Sequence, residues 1–94
     1  MSIWSVLEGS VKISKTSHIS PKKYIDELLK SHNVDEYTLH VGKYMILTSA
    51  TYHYEVELRV CADGIEAANI FDLVSRNLKQ IGTIENFHSE IQFT

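Results

Sequence analysis

Cysteine and the two helix-breaking residues are scarce in this chain, which has one cysteine, one proline and four glycines among its 94 residues. The lone Cys61 excludes an intramolecular disulfide, so an apolar core has to stabilise the folded state. Proteins of reducing compartments typically lack disulfides. The proline and glycines fall at predicted element ends or bends, and no internal linker, repeat or low-complexity segment is present. We therefore expect a single domain covering residues 1–94.

Long apolar runs are also missing. No stretch approaches the ~20 consecutive apolar residues that a membrane-spanning helix requires. Near the N-terminus, Glu8 and Lys12 interrupt the apolar residues before they form a run long enough for a signal peptide. These absences, together with the unpaired cysteine, predict a cytoplasmic protein without membrane association.

Charge of one sign is nowhere concentrated along the chain. The formal net charge is −3, and the lysine and arginine residues are spread out. Proteins that bind nucleic acids usually carry a concentrated basic stripe, so a nucleic-acid partner is not expected. A mildly acidic domain is better suited to a basic protein surface, including one that normally binds phosphates.

Alternation of apolar and polar residues predicts four strands. They are placed near residues 3–14, 36–48, 52–61 and 84–93. The segment 52–61 alternates most strictly, which is typical of a strand with one buried and one polar face. In 36–48 the alternation blurs after Gly42, so we expect a bulge there. A short turn over residues 48–51 would join the second and third strands as a hairpin.

Two helices are predicted, near residues 21–32 and 64–81. Ser20 precedes Pro21, so the serine oxygen can cap free backbone N–H groups, while proline at the first helical position loses nothing by lacking one. Asp63 begins the second helix in a similar way, with Glu66 three residues later as in a capping box. Gly82 is expected to end this helix. Both helices carry apolar residues at helical spacing on one face.

The order strand, helix, two strands, helix, strand is the β-α-β-β-α-β plan of ferredoxin-like α+β domains. Right-handed crossovers would put both helices on one face of a four-stranded antiparallel sheet, with the first and third strands at its centre. The opposite face would carry no helix, which makes it the first place to expect a working surface.

No residue pattern in the sequence predicts catalysis or a bound metal. The five histidines are not spaced as ligand pairs on one element, and Cys61 has no second cysteine at metal-binding spacing. The glycine loops and nucleophile motifs of common enzymes are absent. Glu55 and Glu57 can act as an acid–base pair only inside an enclosing pocket, and Arg59 on the same strand face is their expected partner. We therefore expect no catalytic residue, no cofactor and no metal.

A partner-binding surface is predicted on the helix-free face of the sheet. Trp4 and Val6 would lie on the outer side of the first strand, and with Tyr44 beside them they would form an apolar patch of the kind that marks interfaces. Polar residues around this patch would confer specificity. The predicted partner-binding residues are Trp4, Val6, His40, Tyr44, His53, Glu55, Glu57 and Arg59.

Short motifs along the chain resemble a group of small phage and prophage proteins. The motifs are Trp4-Ser5-x-x-x-Gly9-x-Val11, then Tyr54-x-Val56-x-Leu58-Arg59, and a following helix with Phe71, Arg76 and Lys79. The group has no assigned activity. The resemblance therefore implies a viral setting, and with it the cytoplasm of a host cell, rather than a particular chemistry.

Small size, acidic balance and the lack of a catalytic pattern favour a non-enzymatic protein-binding module. In the viral setting that the resemblance implies, we expect a phage-encoded inhibitor that occludes a surface of a host defence protein, as anti-CRISPR proteins do. We expect either the helix-free face or the edge strand that carries His40 to form the host contact or, alternatively, a homodimer. Two alternatives stay open: a small enzyme or a ligand or metal sensor that uses the histidines and glutamates of the sheet face, and a structural accessory subunit.

Overall fold

The computed structural model describes residues 3–45 and 50–93 of the chain. Its elements follow one another in the predicted order. They are β1 (Ile3–Ser14), α1 (Pro21–Ser31), β2 (Tyr37–Met45), β3 (Thr51–Cys61), α2 (Gly64–Ile81) and β4 (Thr83–Phe93). Apart from β2, these bounds agree with the predicted ranges to within one residue. The predicted continuation of the second strand and half of the predicted turn fall on residues 46–49, outside the described part of the chain.

The four strands form one antiparallel sheet in the order β2-β3-β1-β4. β1 and β3 are central, as predicted, and they pair without a shift from Trp4 opposite Cys61 to Ser14 opposite Thr51. Both helices share one core with the sheet. This arrangement is the predicted ferredoxin-like α+β fold. Among the described residues, no helix is both long enough and apolar enough to cross a membrane.

The hydrophobic core lies between the sheet and the two helices. Odd-numbered residues of β1 and even-numbered residues of β3 point toward the helices, as the alternation in 52–61 predicts. The core consists of Leu7, Val11, Ile13, Val56, Leu58 and Val60 from the strands and of Ile25, Leu29, Ala67, Ile70, Phe71, Val74 and Leu78 from the helices. Burying one large side chain of this kind contributes about 1.5–3 kcal/mol. The helix side of the sheet therefore contains the main apolar core that stabilises the fold.

Side-chain caps define the starts of both helices. The Ser20 oxygen accepts a hydrogen bond from a backbone N–H of the first turn of α1. The Asp63 carboxylate accepts from the Glu66 N–H at 2.8 Å. These contacts confirm the predicted helix starts. Asn33, with a φ of 60°, follows the end of α1, and Gly82 ends α2 as predicted, with an extended backbone.

The sheet contains a bulge, but in β4 rather than at Gly42. β2 pairs with β3 in unbroken register from Tyr37 to Met45, so the predicted bulge at Gly42 is wrong. The alternation blurs there because β2 is an edge strand without a fully buried side chain among those described, so its residues are not forced to alternate. The pairing shifts instead where Gly9 of β1 faces Asn86 of β4, which has a φ of 55°.

Phe87 covers Gly9 on the helix side of the sheet. A Cβ atom placed on Gly9 would overlap the Phe87 ring. An aromatic ring laid across a strand glycine restores the apolar contact that glycine itself cannot make. The bulge sets this geometry, because the extra residue Asn86 keeps both Glu85 and His88 on the opposite side while Phe87 points toward the core.

Candidate functional site

All eight predicted partner-binding residues lie on the helix-free side of the sheet. We call this side the polar sheet face and define it by the side chains that alternate away from the helices. Its members are Trp4, Val6, Glu8, Ser10, Lys12 and Ser14 from β1, Thr38, His40, Gly42 and Tyr44 from β2, Thr51, His53, Glu55, Glu57, Arg59 and Cys61 from β3, and Thr83, Glu85, His88 and Glu90 from β4. Their role in partner binding stays a prediction.

Carboxylates dominate the charge of the polar sheet face. Its glutamates are Glu8, Glu55, Glu57, Glu85 and Glu90, and its cations are Lys12 and Arg59. With the histidines neutral, five negative and two positive charges leave −3, which equals the formal net charge of the whole chain. The rest of the molecule is therefore neutral on balance, and the acidity of the composition belongs to one face.

Ion pairs connect neighbouring side chains across this face. Lys12 of β1 reaches Glu85 of β4, with 2.7 Å between Nζ and Oε1. On β3, Arg59 Nε donates to Glu57 Oε1 at 2.9 Å, which confirms the predicted partner of this glutamate. The four side chains are partly exposed, at 34–40 %, and solvent-screened pairs of this kind contribute about 0–1 kcal/mol. They orient the carboxylates more than they stabilise the fold.

Two negative charges meet at the centre of the face. Glu8 of β1 and Glu57 of β3 are directly opposite each other, and facing like charges destabilise a sheet. Each glutamate has a hydrogen-bonding or charged neighbour. His88 Nε2 lies 3.3 Å from Glu8 Oε2, and the Arg59 guanidinium binds the Glu57 carboxylate. A shallow cavity of about 440 Å³ lies over this pair and is also bordered by Glu55. A cationic group from a partner would relieve the repulsion here.

The predicted apolar patch is not continuous, so this part of the prediction is wrong. Trp4 pairs with Cys61, whereas Tyr44 pairs with His53, eight residues earlier on β3. At about 3.4 Å per residue, the two positions are roughly 27 Å apart along the sheet. Alternation identifies the shared face, but the strand register decides the position along it.

Val6 is fully buried although it lies on the polar sheet face, so it is not the exposed anchor that we predicted. It does not belong to the core between sheet and helices. Its strand neighbours are Arg59 and Glu90, whose long side chains have apolar stems that can cover a branched residue. Trp4 is half-buried near the same end. Of the three predicted apolar anchors, Tyr44 alone is mainly exposed, at 52 %.

Tyr44 is joined to the acidic residues by a hydrogen bond. Its phenol donates to Glu55 Oε2 at 3.1 Å. This bond, reinforced by the negative charge of Glu55, raises the pKa of the Tyr44 phenol, so the phenol remains a donor at physiological pH. The predicted polar residues fall into two groups, one with Tyr44, His53 and Glu55 and the other with His40, Glu57 and Arg59.

Five glutamate, lysine or histidine residues of the face were not among the predicted partner-binding residues. They are Glu8, Lys12, Glu85, His88 and Glu90. For four of them, the alternation of apolar and polar residues within β1 and at the end of β4 indicated that their side chains lie on this face. Glu85 had no such signal, because the bulge at Asn86 reverses the parity of β4 and puts residues three positions apart on the same side.

Two of the three histidines of the face, His40 and His88, lie at the ends of a row with two glutamates rather than in a cluster. His40 is opposite Glu57, which is opposite Glu8, which is opposite His88. The two histidines are three strand spacings, or about 14 Å, apart, so they cannot bind the same ion. Within residues 3–45 and 50–93, no group of three or more potential ligands is arranged to hold a metal.

Cys61 lies beside a second cavity, of about 630 Å³, between the α1–β2 connection and α2. Burial, followed by a hydrogen bond to Glu36 and the charge of that carboxylate, raises the pKa of the Cys61 thiol. The thiolate is the reactive form of cysteine. This environment therefore suppresses thiol reactivity at neutral pH.

We expect iodoacetamide to alkylate Cys61 more slowly than a free cysteine at about pH 8.5, and Glu36→Gln to accelerate the reaction. The substitution removes a negative charge and lowers the thiol pKa, so the thiolate fraction rises. Rates measured by mass spectrometry across a pH series would show this. Because the pKa of the thiol is raised in the folded state, the thiol stabilises that state below the unfolded pKa, and this contribution is lost as pH rises through the folded pKa. An unchanged rate for Glu36→Gln would contradict the role of Glu36.

Comparisons with known proteins bear on the fold. No protein-family model and no curated protein matches the sequence. Among solved structures, the de novo designed protein Foldit4 is similar over 97% of this chain and 98% of its own, with a TM-score of 0.69 and 15% identity.

Two other solved structures are more distant. The de novo designed protein Ferredog-Diesel has a TM-score of 0.44 at 11% identity, over 94% of this chain and 84% of its own. An amidase of the hydantoinase/carbamoylase family from Burkholderia multivorans has a TM-score of 0.46 at 12% identity, over 98% of this chain and 27% of its own. The likeness to Foldit4 supports the ferredoxin-like α+β fold, and at 15% identity it shows the fold alone.

Proposed function

We propose that this chain is a non-enzymatic protein-binding module that uses the polar sheet face to occlude a basic surface of another protein. The observation that carries the proposal is that a net charge of −3, equal to that of the whole chain, is concentrated on this face. Complementary potentials speed association and help to select the partner. The carboxylates stand on paired strands and are held in place before binding, which reduces the entropy lost on association.

The surface that this face would occlude is one that normally binds phosphates. Glu55 and Glu57 alternate on one side of β3, so their backbone positions are about 7 Å apart, similar to successive phosphates in a nucleic-acid strand. The short motifs that resemble phage and prophage proteins suggest a viral setting. In that setting the partner is a nucleic-acid-binding protein of host defence in the host cytoplasm, and the chain is its phage-encoded inhibitor.

Neutralising three glutamates of the face tests this proposal. The partner is first captured from a bacterial lysate on the immobilised protein and then purified. We expect the triple variant Glu55→Gln, Glu57→Gln and Glu90→Gln to bind it about tenfold more weakly at about 0.15 M salt, because electrostatic attraction is lost. Biolayer interferometry measures the change. Rising salt should weaken binding of the unmodified chain, and heparin, a polyanion, should displace the partner.

The matched control removes the same charge from other surfaces. Glu27, Asp35 and Asp72 are exposed and lie outside the polar sheet face, so Glu27→Gln, Asp35→Asn and Asp72→Asn together should leave binding unchanged. An equal loss in both triple variants would show that overall charge, not the face, drives binding. Full binding by the face variant, with heparin ineffective, would contradict the proposed function. Circular dichroism confirms that each variant is folded.

A further inference from the structure

The two edges of the sheet differ in their protection against a further strand. β4 is interrupted by the bulge at Asn86 and carries Glu85 and Glu90. β2 has less protection: its register with β3 is unbroken, and its nine residues include one lysine, Lys43, but no aspartate, glutamate or proline. Natural sheets block unwanted pairing with bulges, charges and proline at their edges. β2 is therefore the more open edge for pairing.

Alternate residues of β2 direct their backbone polar groups away from β3. The Cys61 N–H donates to the Glu36 carbonyl at 3.0 Å, so even-numbered residues form the hydrogen-bonded pairs with β3. The N–H and C=O groups of the odd-numbered residues Tyr37, Leu39, Val41 and Lys43 consequently point outward. In the described part of the chain, no backbone hydrogen bond from another segment reaches them.

The apolar core is incompletely covered beneath this edge. Leu39 and Val41 pack against the core but are only half-buried, as are Val34 and Tyr37. A groove of about 360 Å³ between α1 and β2 is lined in part by Val34, Tyr37 and Leu39. Another strand beside β2, with the elements attached to it, would remove this apolar surface from water.

We propose that β2 pairs with β2 of a second copy of this chain, antiparallel about a twofold axis at Val41, to form a continuous eight-stranded sheet. In this register Lys43 faces Leu39 of the copy and His40 faces Gly42. No like charges oppose each other, and the imidazole meets a position without a side chain. Both copies therefore present outward-pointing backbone groups to each other without opposed like charges, as an interface with twofold symmetry requires.

Dimerisation through β2 and partner binding through the polar sheet face depend differently on salt. An axis perpendicular to the sheet keeps both polar sheet faces on one side, and each copy has a net charge of −3. Salt screens the repulsion between the copies, so the dimer should tighten as ionic strength rises. Partner binding should weaken under the same change. Failure of one proposal is therefore distinguishable from failure of the other.

Val41→Pro is the first test of the dimer. The Val41 N–H points outward, so proline removes two symmetry-related hydrogen bonds between the copies while the β2–β3 ladder remains complete. We expect the dimer dissociation constant to rise about thirtyfold. Sedimentation velocity over a concentration series, at low and high salt, measures it. A chain that stays monomeric at every concentration, or a Val41→Pro variant that dimerises as tightly as the unmodified chain, would overturn the proposal.

If the Val41→Pro variant does not fold, a cysteine cross-link at the twofold axis tests the β2–β2 interface instead. In a Cys61→Ser background, Val41→Cys would bring two cysteines to a Cα separation of about 5.5 Å, within disulfide range. Mild oxidation should then give a covalent dimer on a non-reducing gel. Ser89→Cys on β4, at the other edge, is the matched control and should remain monomeric. Cross-linking only through Ser89→Cys, or through neither, would contradict a β2–β2 interface.

Discussion

Leu58→Ala is expected to lower the free energy of unfolding by about 2–5 kcal/mol. Leu58 is fully buried on the central strand β3, and its paired neighbours are Leu7 on β1 and Leu39 on β2. Truncation would leave a cavity between paired strands and two helices, which cannot move together to fill it. Urea denaturation followed by circular dichroism measures the change.

Glu55→Ala is the matched control for this prediction, three positions away on the same strand. Glu55 is exposed on the polar sheet face, where it accepts a hydrogen bond from the Tyr44 phenol. We expect its loss to change stability by no more than about 0.5 kcal/mol. If Glu55→Ala destabilised the protein as much as Leu58→Ala, the two faces of β3 would be assigned the wrong way round, and the polar sheet face would lose its definition.

Gly9→Ala is expected to destabilise the protein by about 1–3 kcal/mol, because the new methyl group would overlap the Phe87 ring. The ring lies over a bulge between paired strands, so it can move aside only by giving up its packing. Gly42→Ala is the control at the open edge of the same sheet. The nearest atom to a Cβ there is Tyr44 Cε2 at 4.0 Å, so we expect no loss and a gain of up to about 1 kcal/mol. Thermal and urea unfolding compare the two.

A double-mutant cycle with Phe87→Ala tests whether the ring is the cause. If the methyl group harms the protein by displacing Phe87, Gly9→Ala should have little further effect once the ring is gone. The combined loss should then be smaller than the sum of the single losses by about 1 kcal/mol or more. Additive losses would show that strain in β1 itself, and not contact with Phe87, makes glycine necessary at this position.

Local signals in the sequence predicted most of the secondary structure. Ser20 and Asp63 cap the two helices as their positions before each helical pattern indicate. The alternation from Tyr52 to Val60 placed the apolar side chains of β3 on the helix side. These elements could be predicted because a helix cap or a strand alternation depends on residues only a few positions apart. The local sequence is therefore enough to identify them.

The details of the candidate site were harder to predict. Alternation put the eight predicted partner-binding residues on one face, but it did not separate Trp4 from Tyr44 or reveal that Val6 is buried. It also missed Glu85, because Asn86 shifts the parity of β4 opposite Gly9. Each of these facts depends on which residue of one strand meets which residue of another. A local pattern contains no information about such pairing across the sheet.

The sequence by itself determined the number, order and inner faces of the elements, because these follow from short-range periodicity and capping. Tertiary structure alone decided the register of β1 with β3 and β4, and with it the meeting of Glu8 and Glu57 at the centre of the polar sheet face. It also decided that β4 is a bulged edge and β2 an unbroken one. Register is a choice among long-range pairings that differ by one residue, and the packing of the whole core, not any local preference, selects among them.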